Sequence, residues 1–202
     1  MVITISRDYA AFGRTVAAGL SKQLGIPFYD MDFIKKTAEE SGYSEEDIVN
    51  QGEDMSRGSR FLNSFLNNSV TYSSSFDGIF AAQSKVILEL SQSPCIIVGR
   101  CSDYVLREAG IESFNVFLYA DMETRIERTK ELGHADEADI KKYIEKRDDR
   151  RHTYYKQYTK SEMGDYKNYD ISLNTGTIGV DTCVDVLAQI IKGKYPDVNW
   201  EE

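Results

Sequence analysis

Five short runs of apolar and β-branched residues alternate along this chain with stretches of helical periodicity, and no other feature constrains the fold as strongly. The runs predict strands at residues 2–5, 26–29, 95–99, 114–120 and 169–175. The intervening and following stretches predict helices at residues 13–24, 33–40, 79–90, 121–132, 136–158 and 180–192. Strands separated by such helices form a parallel sheet covered on both faces, so we predict an α/β protein.

Ligands bind at the carboxyl edge of such a sheet, because all the parallel strands end there. Charged residues follow four of the predicted strands closely, namely Arg7, Asp30, Arg100 and Asp121. We therefore expect the binding site to lie among these positions. Asp121 is also expected to cap the helix that begins beside it.

Length and charge limit the kinds of partner. With 202 residues the chain is long enough for a sizeable core, and we predict a single domain over residues 1–202. The net charge of -9 argues against a nucleic-acid partner, since such proteins normally carry a basic surface.

No run of apolar residues approaches the ~18 residues of a membrane span. Arg7 and Asp8 interrupt the apolar N-terminus early, so we expect no secretion signal, no membrane partner and a cytoplasmic location. Self-association is left open.

The cysteines do not predict a metal site. Cys95, Cys101 and Cys183 include no Cys-x-x-Cys pair, and only two histidines accompany them. We expect three reduced thiols in the core.

The segment between the first strand and the first helix has the outline of a phosphate-binding loop. The pattern G-x-x-x-x-G-K-[ST] follows a strand and precedes a helix, and here DYAAFGRT at residues 8–15 ends in Gly13, Arg14 and Thr15. Such a loop points backbone N–H groups at a phosphate, with a cation and the helix N-terminus behind them. Arg14 supplies that cation in place of lysine. Because Asp8 replaces the first glycine, a tight strand-to-helix turn without a ligand is the alternative.

The long helix predicted at residues 136–158 carries two arginines on an otherwise apolar and aromatic face. Arg147 and Arg151 share one 3.6-residue stripe with Ile140, Tyr143, Ile144, Tyr154, Tyr155 and Tyr158. A buried cation without a partner is strongly unfavourable, so both arginines should meet an acid or bind an anion. Arg125 and Arg128 lie on one face of the preceding helix. The alternative is a pair of solvated helices whose arginines form salt bridges with nearby acidic residues. Phosphoryl transfer between nucleotides fits these parts, because it needs mainly positioning and cations.

Three segments in the same order resemble the cytidylate kinase-like family, a divergent branch of the nucleoside monophosphate kinases with the P-loop fold. They are ITISRDYAAFGRTVAAGLSKQLGIPFYD, CIIVGRCSDYVL, and the stretch from Asp148, Arg151 and Tyr154-Tyr155 to YDISLNT. The resemblance covers nearly the whole chain. It implies a P-loop NTPase with three αβα layers around a five-stranded parallel sheet. It also implies a helical insertion at about 33–78 that binds a nucleoside monophosphate, and an arginine-bearing helical lid at about 130–160.

The resemblance further implies ATP-dependent phosphoryl transfer to a nucleoside monophosphate, CMP or dCMP by default, with Mg²⁺ as cofactor. The phosphates of ATP would be held by Ala11, Phe12, Gly13, Arg14 and Thr15, with Thr15 nearest the metal. The acceptor nucleotide would be bound by Asp30, Lys36, Arg100 and Asp148. The catalytic cations would be Arg14, Arg128, Arg147 and Arg151.

The chain also departs from the family's usual loop, Gly-Ser-Gly-Gly-Arg, with Ala10-Ala11-Phe12-Gly13-Arg14. A left-handed conformation at either alanine would cost about 1–2 kcal/mol and weaken ATP binding by about tenfold or more. One alternative is therefore a nucleotide- or anion-binding protein of the same fold with little kinase activity. Met31 and Cys101 depart from cytidylate kinase usage, so a second alternative is a P-loop kinase of another small metabolite.

Overall fold

Five parallel strands form one sheet in the order β2-β3-β1-β4-β5. The computed structural model describes residues 1–30, 36, 75–133, 139–198 and 200, with the backbone alone for 75–79. The strands are β1 (Val2–Arg7), β2 (Phe28–Tyr29), β3 (Cys95–Val98), β4 (Ser113–Tyr119) and β5 (Ile171–Asn174). The central strand β1 aligns Val2 with Cys95 of β3 and with Ser113 of β4. Its first five residues are buried, as expected for a strand covered on both faces.

Helices connect the strands and cover both faces of the sheet. Within the described residues they are α1 (Gly13–Leu24), α2 (Ser75–Leu90), α3 (Ser102–Glu108), α4 (Met122–Glu131), α5 (Ile140–Thr159), α6 (Thr175–Ile178) and α7 (Val180–Lys194). A short 3-10 helix, Tyr166–Asn168, precedes β5. Asp121 begins α4 as predicted, because its carboxylate accepts a hydrogen bond from the Thr124 N–H at 2.9 Å.

Two helices pack closely on one face of the sheet. Leu20 of α1 and Leu187 of α7 are fully buried in the same cluster as Ile3 and Ile5 of β1. A Cβ on Gly19 of α1 would lie 2.9 Å from a Val184 methyl carbon of α7, so this close approach depends on glycine. On the opposite face, α2 and α3 bury a second apolar cluster against β1 and β3.

The long helix α5 lies on a third, aromatic cluster at the carboxyl edge. Tyr154 and Tyr155 are buried there together with Phe117 and Met163. Farther along α5, Tyr158 stacks on Phe80 of α2 with ring centroids 3.9 Å apart. The C-terminal half of α5 is therefore part of the packed interior.

The predicted α/β class is confirmed, and every predicted strand is present with shifted bounds. The second strand is shorter than predicted, since only Phe28–Tyr29 pair with β3. Helix α3 was not predicted, because the seven residues of Ser102–Glu108 are too few for clear periodicity. Helix α2 begins at Ser75, inside the segment predicted as an insertion. The remainder of that insertion, and the helix predicted at 33–40 apart from Lys36, lie outside the described residues.

The three cysteines form no disulfide and are buried. Among the helices that the structure describes, none is both long enough and apolar enough to cross a membrane.

Candidate phosphate-binding site

The loop at residues 8–12, between β1 and α1, is held by its carbonyl oxygens. Three side chains donate to three successive carbonyls, and we call these three residues the carbonyl clamp. The bonds run from Arg125 Nη1 to the Tyr9 oxygen (3.4 Å), from Arg128 Nη1 to the Ala10 oxygen (3.3 Å) and from the Thr175 hydroxyl to the Ala11 oxygen (3.1 Å). The clamp joins the loop to α4 and to the start of α6, so contacts with distant elements support the shape of the loop.

Helix α1 begins directly after this loop with its N-terminal donors uncapped. Phe12 occupies the N-cap position and makes no side-chain hydrogen bond to the first turn. The first N–H groups of a helix have no partner within the helix, and the helix dipole favours an anion beside them. The N-terminus of α1, at Gly13 to Thr15, is therefore suited to bind a phosphate.

Two residues of the loop have left-handed backbone conformations, and only one of them is an alanine. Ala10 has φ 58° and Phe12 has φ 57°, whereas Ala11 does not have a positive φ. The expectation of strain is therefore met at Ala10 and does not apply to Ala11, whose methyl group is fully buried. Phe12 was overlooked because the sequence does not reveal which loop positions turn left-handed.

We expect glycine to cost less stability at Ala10 than at Ala11. Ala10→Gly relieves about 1–2 kcal/mol of left-handed strain, but it loses about 0.5–1 kcal/mol in entropy and up to about 0.8 kcal/mol of methyl burial, so the free energy of unfolding should change by less than about 1 kcal/mol. Ala11→Gly relieves no strain, removes a buried methyl group and should lower the free energy of unfolding by about 1–2 kcal/mol. Urea denaturation of both variants measures the difference. A greater loss in Ala10→Gly than in Ala11→Gly would contradict the assigned backbone conformations.

An open cleft of about 360 Å³ lies over the loop at the carboxyl edge of the sheet. Its lining comprises Arg7, Asp8, Tyr9, Ala10, Phe12, Gly13, Arg14, Thr15, Asp30, Leu132 and Arg151. Arg14 Nε lies 3.7 Å from Asp30 Oδ2, and the Arg14 side chain is 61% exposed. Arg14 at the end of the loop and Asp30 at the end of β2 thus share one accessible cleft.

Asp148 of α5 connects this helix to the loop and to α4. Its Oδ1 accepts a hydrogen bond from the Tyr9 N–H at 2.7 Å, and its Oδ2 forms an ion pair with Arg125 Nη1. Both side chains of this ion pair are largely buried. Asp148 was predicted to bind the acceptor, but in this structure its carboxylate is engaged in holding the loop.

The two arginines of the α5 stripe lie against an aromatic ring of the loop. The guanidinium carbons of Arg147 and Arg151 are each 5.6 Å from the centre of the Tyr9 ring. Arg147 also lies over Tyr143 and donates to its hydroxyl at 2.9 Å. Burial, followed by the neighbouring Tyr143 hydroxyl, raises the pKa of Tyr9 to about 12, so the ring between these cations is neutral.

For Arg147 this environment differs from the acid partner that was one predicted alternative, whereas the binding of an anion stays a prediction. Among the described residues, the contacts of Arg147 are tyrosine rings and a hydroxyl, which stabilise a half-buried guanidinium through cation–π attraction. Arg151 also donates to the Arg7 carbonyl at 3.4 Å and lines the cleft.

Arg128 was predicted to be a catalytic cation, but in this structure several hydrogen bonds hold its guanidinium in place. In addition to its role in the clamp, it donates to the Thr175 hydroxyl at 2.8 Å and to the Thr175 carbonyl at 2.9 Å. Its guanidinium carbon lies 4.5 Å from the centre of the Phe12 ring. Partial burial lowers the pKa of Arg128, although a guanidinium remains charged at neutral pH.

Arg100 and Lys36, which were predicted to bind the acceptor, do not line the cleft. Arg100, in a left-handed turn after β3, lines a small neighbouring cavity between the strand ends and α5. Lys36 pairs with Glu89 near the end of α2, with 2.6 Å between Nζ and Oε1.

Sequence reasoning assigned no contact with the loop to three residues that shape the site. Tyr9, Arg125 and Thr175 contribute through contacts with residues distant in sequence, and no spacing reveals such contacts. Arg125 offered a partial signal, since it shares a helix face with Arg128, but its burial beside Asp148 required the folded structure.

Comparisons with known proteins agree on the family and the fold. A model of the cytidylate kinase-like family matches residues 2–177, whereas no curated protein matches the sequence. An uncharacterised protein from Eubacterium ventriosum is 22% identical, with a TM-score of 0.71, covering 95% of this chain and 98% of its own. Shikimate kinase from Acinetobacter baumannii, in complex with shikimate, is 14% identical, with a TM-score of 0.54. The alignment covers 96% of this chain and 93% of the shikimate kinase. Deoxyadenosine kinase from M. mycoides is 15% identical, with a TM-score of 0.50 and coverages of 96% and 100%. The chain therefore has the fold of the P-loop kinases.

Proposed function

Because the chain belongs to the cytidylate kinase-like family, whose model matches residues 2–177, we propose that it transfers a phosphoryl group from ATP to a nucleoside monophosphate. CMP or dCMP is the default acceptor. The main support is the meeting of Arg14 and Asp30, 3.7 Å apart, in an open cleft beside the uncapped N-terminus of α1. A cation, a carboxylate and free N–H groups are what an incoming triphosphate and its acceptor require.

The proposed roles follow from these positions. Gly13, Arg14 and Thr15 receive the phosphates of ATP, with Ala11 and Phe12 completing the loop. Asp30 and Arg100 face the acceptor from the ends of β2 and β3. Arg151 reaches the cleft from α5 and neutralises charge on the transferring group, while Arg147 moves from Tyr9 to the phosphates. Arg128 keeps the loop in shape, and Asp148 acts in the same way.

Mg²⁺ fits the oxygen donors of this cleft. The exposed hydroxyl of Thr15 and the carboxylates of Asp8 and Asp30 are hard ligands of the kind that this ion prefers. Among the described residues no cluster of three or more His, Cys, Asp or Glu side chains forms a ready-made metal site. This agrees with an ion bound mainly through substrate phosphates and water. Bound there, Mg²⁺ would neutralise charge on the phosphates.

Two alternatives rest on separate observations. Left-handed Ala10 and Phe12 place side chains where the family usually has glycine, which favours a nucleotide- or anion-binding protein with little kinase activity. The structural similarity to shikimate kinase favours a kinase of another small metabolite.

A thermal-shift panel followed by an ADP-release assay separates these functions. Nucleotides and Mg²⁺ are tested for stabilisation, which amounts to about 2.7 kcal/mol at a ligand concentration 100 times Kd. We expect stabilisation by ATP and by CMP, and ADP release when both are present. Binding without ADP release from any monophosphate would favour the binding protein. ADP release with a hydroxylated metabolite such as shikimate, but not with a monophosphate, would favour the second alternative.

A further inference from the structure

The C-terminal half of α5 is attached by two tyrosine hydroxyls to the helices beside it. Tyr155 donates to Asp103 Oδ2 of α3 at 2.6 Å. The preceding residue, Tyr154, donates to Gln83 Oε1 of α2 at 2.7 Å. All four side chains are buried, so these hydrogen bonds are shielded from water. This half of α5 is consequently fixed relative to α2 and α3.

The same helix presents two cations to the loop, both N-terminal to these tyrosines. Arg151 precedes Tyr155 by four residues and Arg147 precedes it by eight, so the three lie along one face of α5. An α-helix is stiff over two turns. A displacement of Tyr155 is therefore transmitted to both guanidinium groups.

The partner of Tyr155 belongs to the turn that carries another cation of the site. Asp103 is the second residue of α3 and follows closely on the left-handed residues Arg100 and Cys101. Arg100 and Arg151 line the same cavity, which has a volume of about 10 Å³. That is room for about one water molecule, so α5 and the turn are in close contact.

Tyr155 is the donor in its hydrogen bond to Asp103 Oδ2. Burial raises the pKa of Tyr155, so the phenol keeps the proton that it donates, and burial likewise raises the pKa of Asp103. Asp103 is 1% exposed, and its Oδ1 has no hydrogen-bond partner among the described residues. Loss of the tyrosine hydroxyl would leave this buried carboxyl group short of donors, which favours a shift of α5 or of the turn.

We propose that Tyr155, acting through Asp103, is a positioning residue for phosphoryl transfer. The hydrogen bond sets the separation between Arg151 on α5 and Arg100 on the turn after β3. The inference rests on the proposed function, in which these arginines flank the acceptor and the transferring group. Rates are sensitive to such placement, since an error of about 1 Å can cost about 10²-fold.

The test is a double-mutant cycle of Tyr155→Phe and Arg151→Ala, measured as kcat and KM. Tyr155→Phe should lower kcat by about tenfold or more, with KM for ATP changed by less than about threefold. If Tyr155 acts mainly through Arg151, Tyr155→Phe should slow the Arg151→Ala variant by much less than it slows the wild type. A multiplicative loss in the double variant, or an unchanged kcat in Tyr155→Phe, would overturn the proposal.

Tyr154→Phe is the matched control, because it removes the neighbouring buried hydroxyl and a hydrogen bond of similar length. It should lose stability as Tyr155→Phe does, yet keep kcat within about threefold. An equal loss of kcat would show general loosening of α5 and count against the proposal. Asp103→Asn keeps an oxygen acceptor for Tyr155 and should retain kcat within about threefold. Circular dichroism confirms that each variant is folded.

A binding measurement keeps this inference separate from the proposed function. If the wild type phosphorylates no acceptor, the proposed function fails, and calorimetry with inorganic tripolyphosphate then decides the positioning role. Tyr155→Phe should weaken that binding by about three- to tenfold, and its effect in the Arg151→Ala background should be clearly smaller. Unchanged binding in Tyr155→Phe would overturn the inference.

Discussion

Replacing Arg14 with alanine is expected to lower kcat by about 10²–10³-fold, the range typical for the loss of one preorganised group that stabilises transition-state charge. Arg14 lies at the N-terminus of α1, and its exposed guanidinium already reaches the cleft beside Asp30. The alanine variant would lose this charge and leave Asp30 as an uncompensated negative group facing the phosphates. Steady-state assays of ADP release measure the effect.

Two further variants distinguish charge from general disturbance of α1. Arg14→Lys keeps the charge but loses the planar fork, so its kcat should lie between those of the wild type and the alanine variant. Lys22→Ala removes an exposed cation from the same helix outside the cleft and should leave kcat unchanged. If Arg14→Ala were as active as Lys22→Ala, the loop would not be the phosphate site.

Asp148→Ala is expected to cause the largest loss of stability, about 3 kcal/mol or more in the free energy of unfolding. The substitution leaves Arg125, which is 8% exposed, as a buried cation without its carboxylate partner. Breaking one side of a buried ion pair typically costs about 3–5 kcal/mol. It also removes the acceptor of the Tyr9 N–H, so the loop loses a support at the same time. Denaturation in urea measures the change.

A matched control exists on the same helix. Glu145 Oε1 lies 3.9 Å from Lys141 Nζ, and both side chains are exposed. Glu145→Ala should therefore cost only about 0.3–0.5 kcal/mol. If Asp148→Ala were equally mild, water would reach Arg125 readily and the ion pair would not support the loop.

The sequence contained enough information to predict the fold. Alternating apolar runs predicted the parallel sheet because period and spacing are local properties of the chain. Of the four residues that the carboxyl-edge rule named, Arg7 and Asp30 line the cleft, whereas Arg100 and Asp121 do not. The proximity of Arg14 to Asp30 was not predicted.

Contacts between distant segments were beyond such reasoning. The Tyr9 N–H and Asp148 are 139 positions apart, and no pattern indicates that this acid binds the loop. The tyrosine partners of Arg147 were not predicted for a related reason. For an arginine on an otherwise apolar face, an acidic partner is expected before an aromatic ring. The left-handed conformation of Phe12 depends on how the loop is folded.

The carbonyl clamp changes what a search for related sequences should look for. Arg128 and Thr175 hold the Ala10 and Ala11 carbonyls, and these bonds help to keep Ala10 and Phe12 in conformations usually reserved for glycine. A pattern that insists on glycine at these positions would pass over this chain. A more tolerant signature pairs the final Gly-Arg-Thr of the loop with an arginine on the helix after the fourth strand and a threonine directly after the fifth.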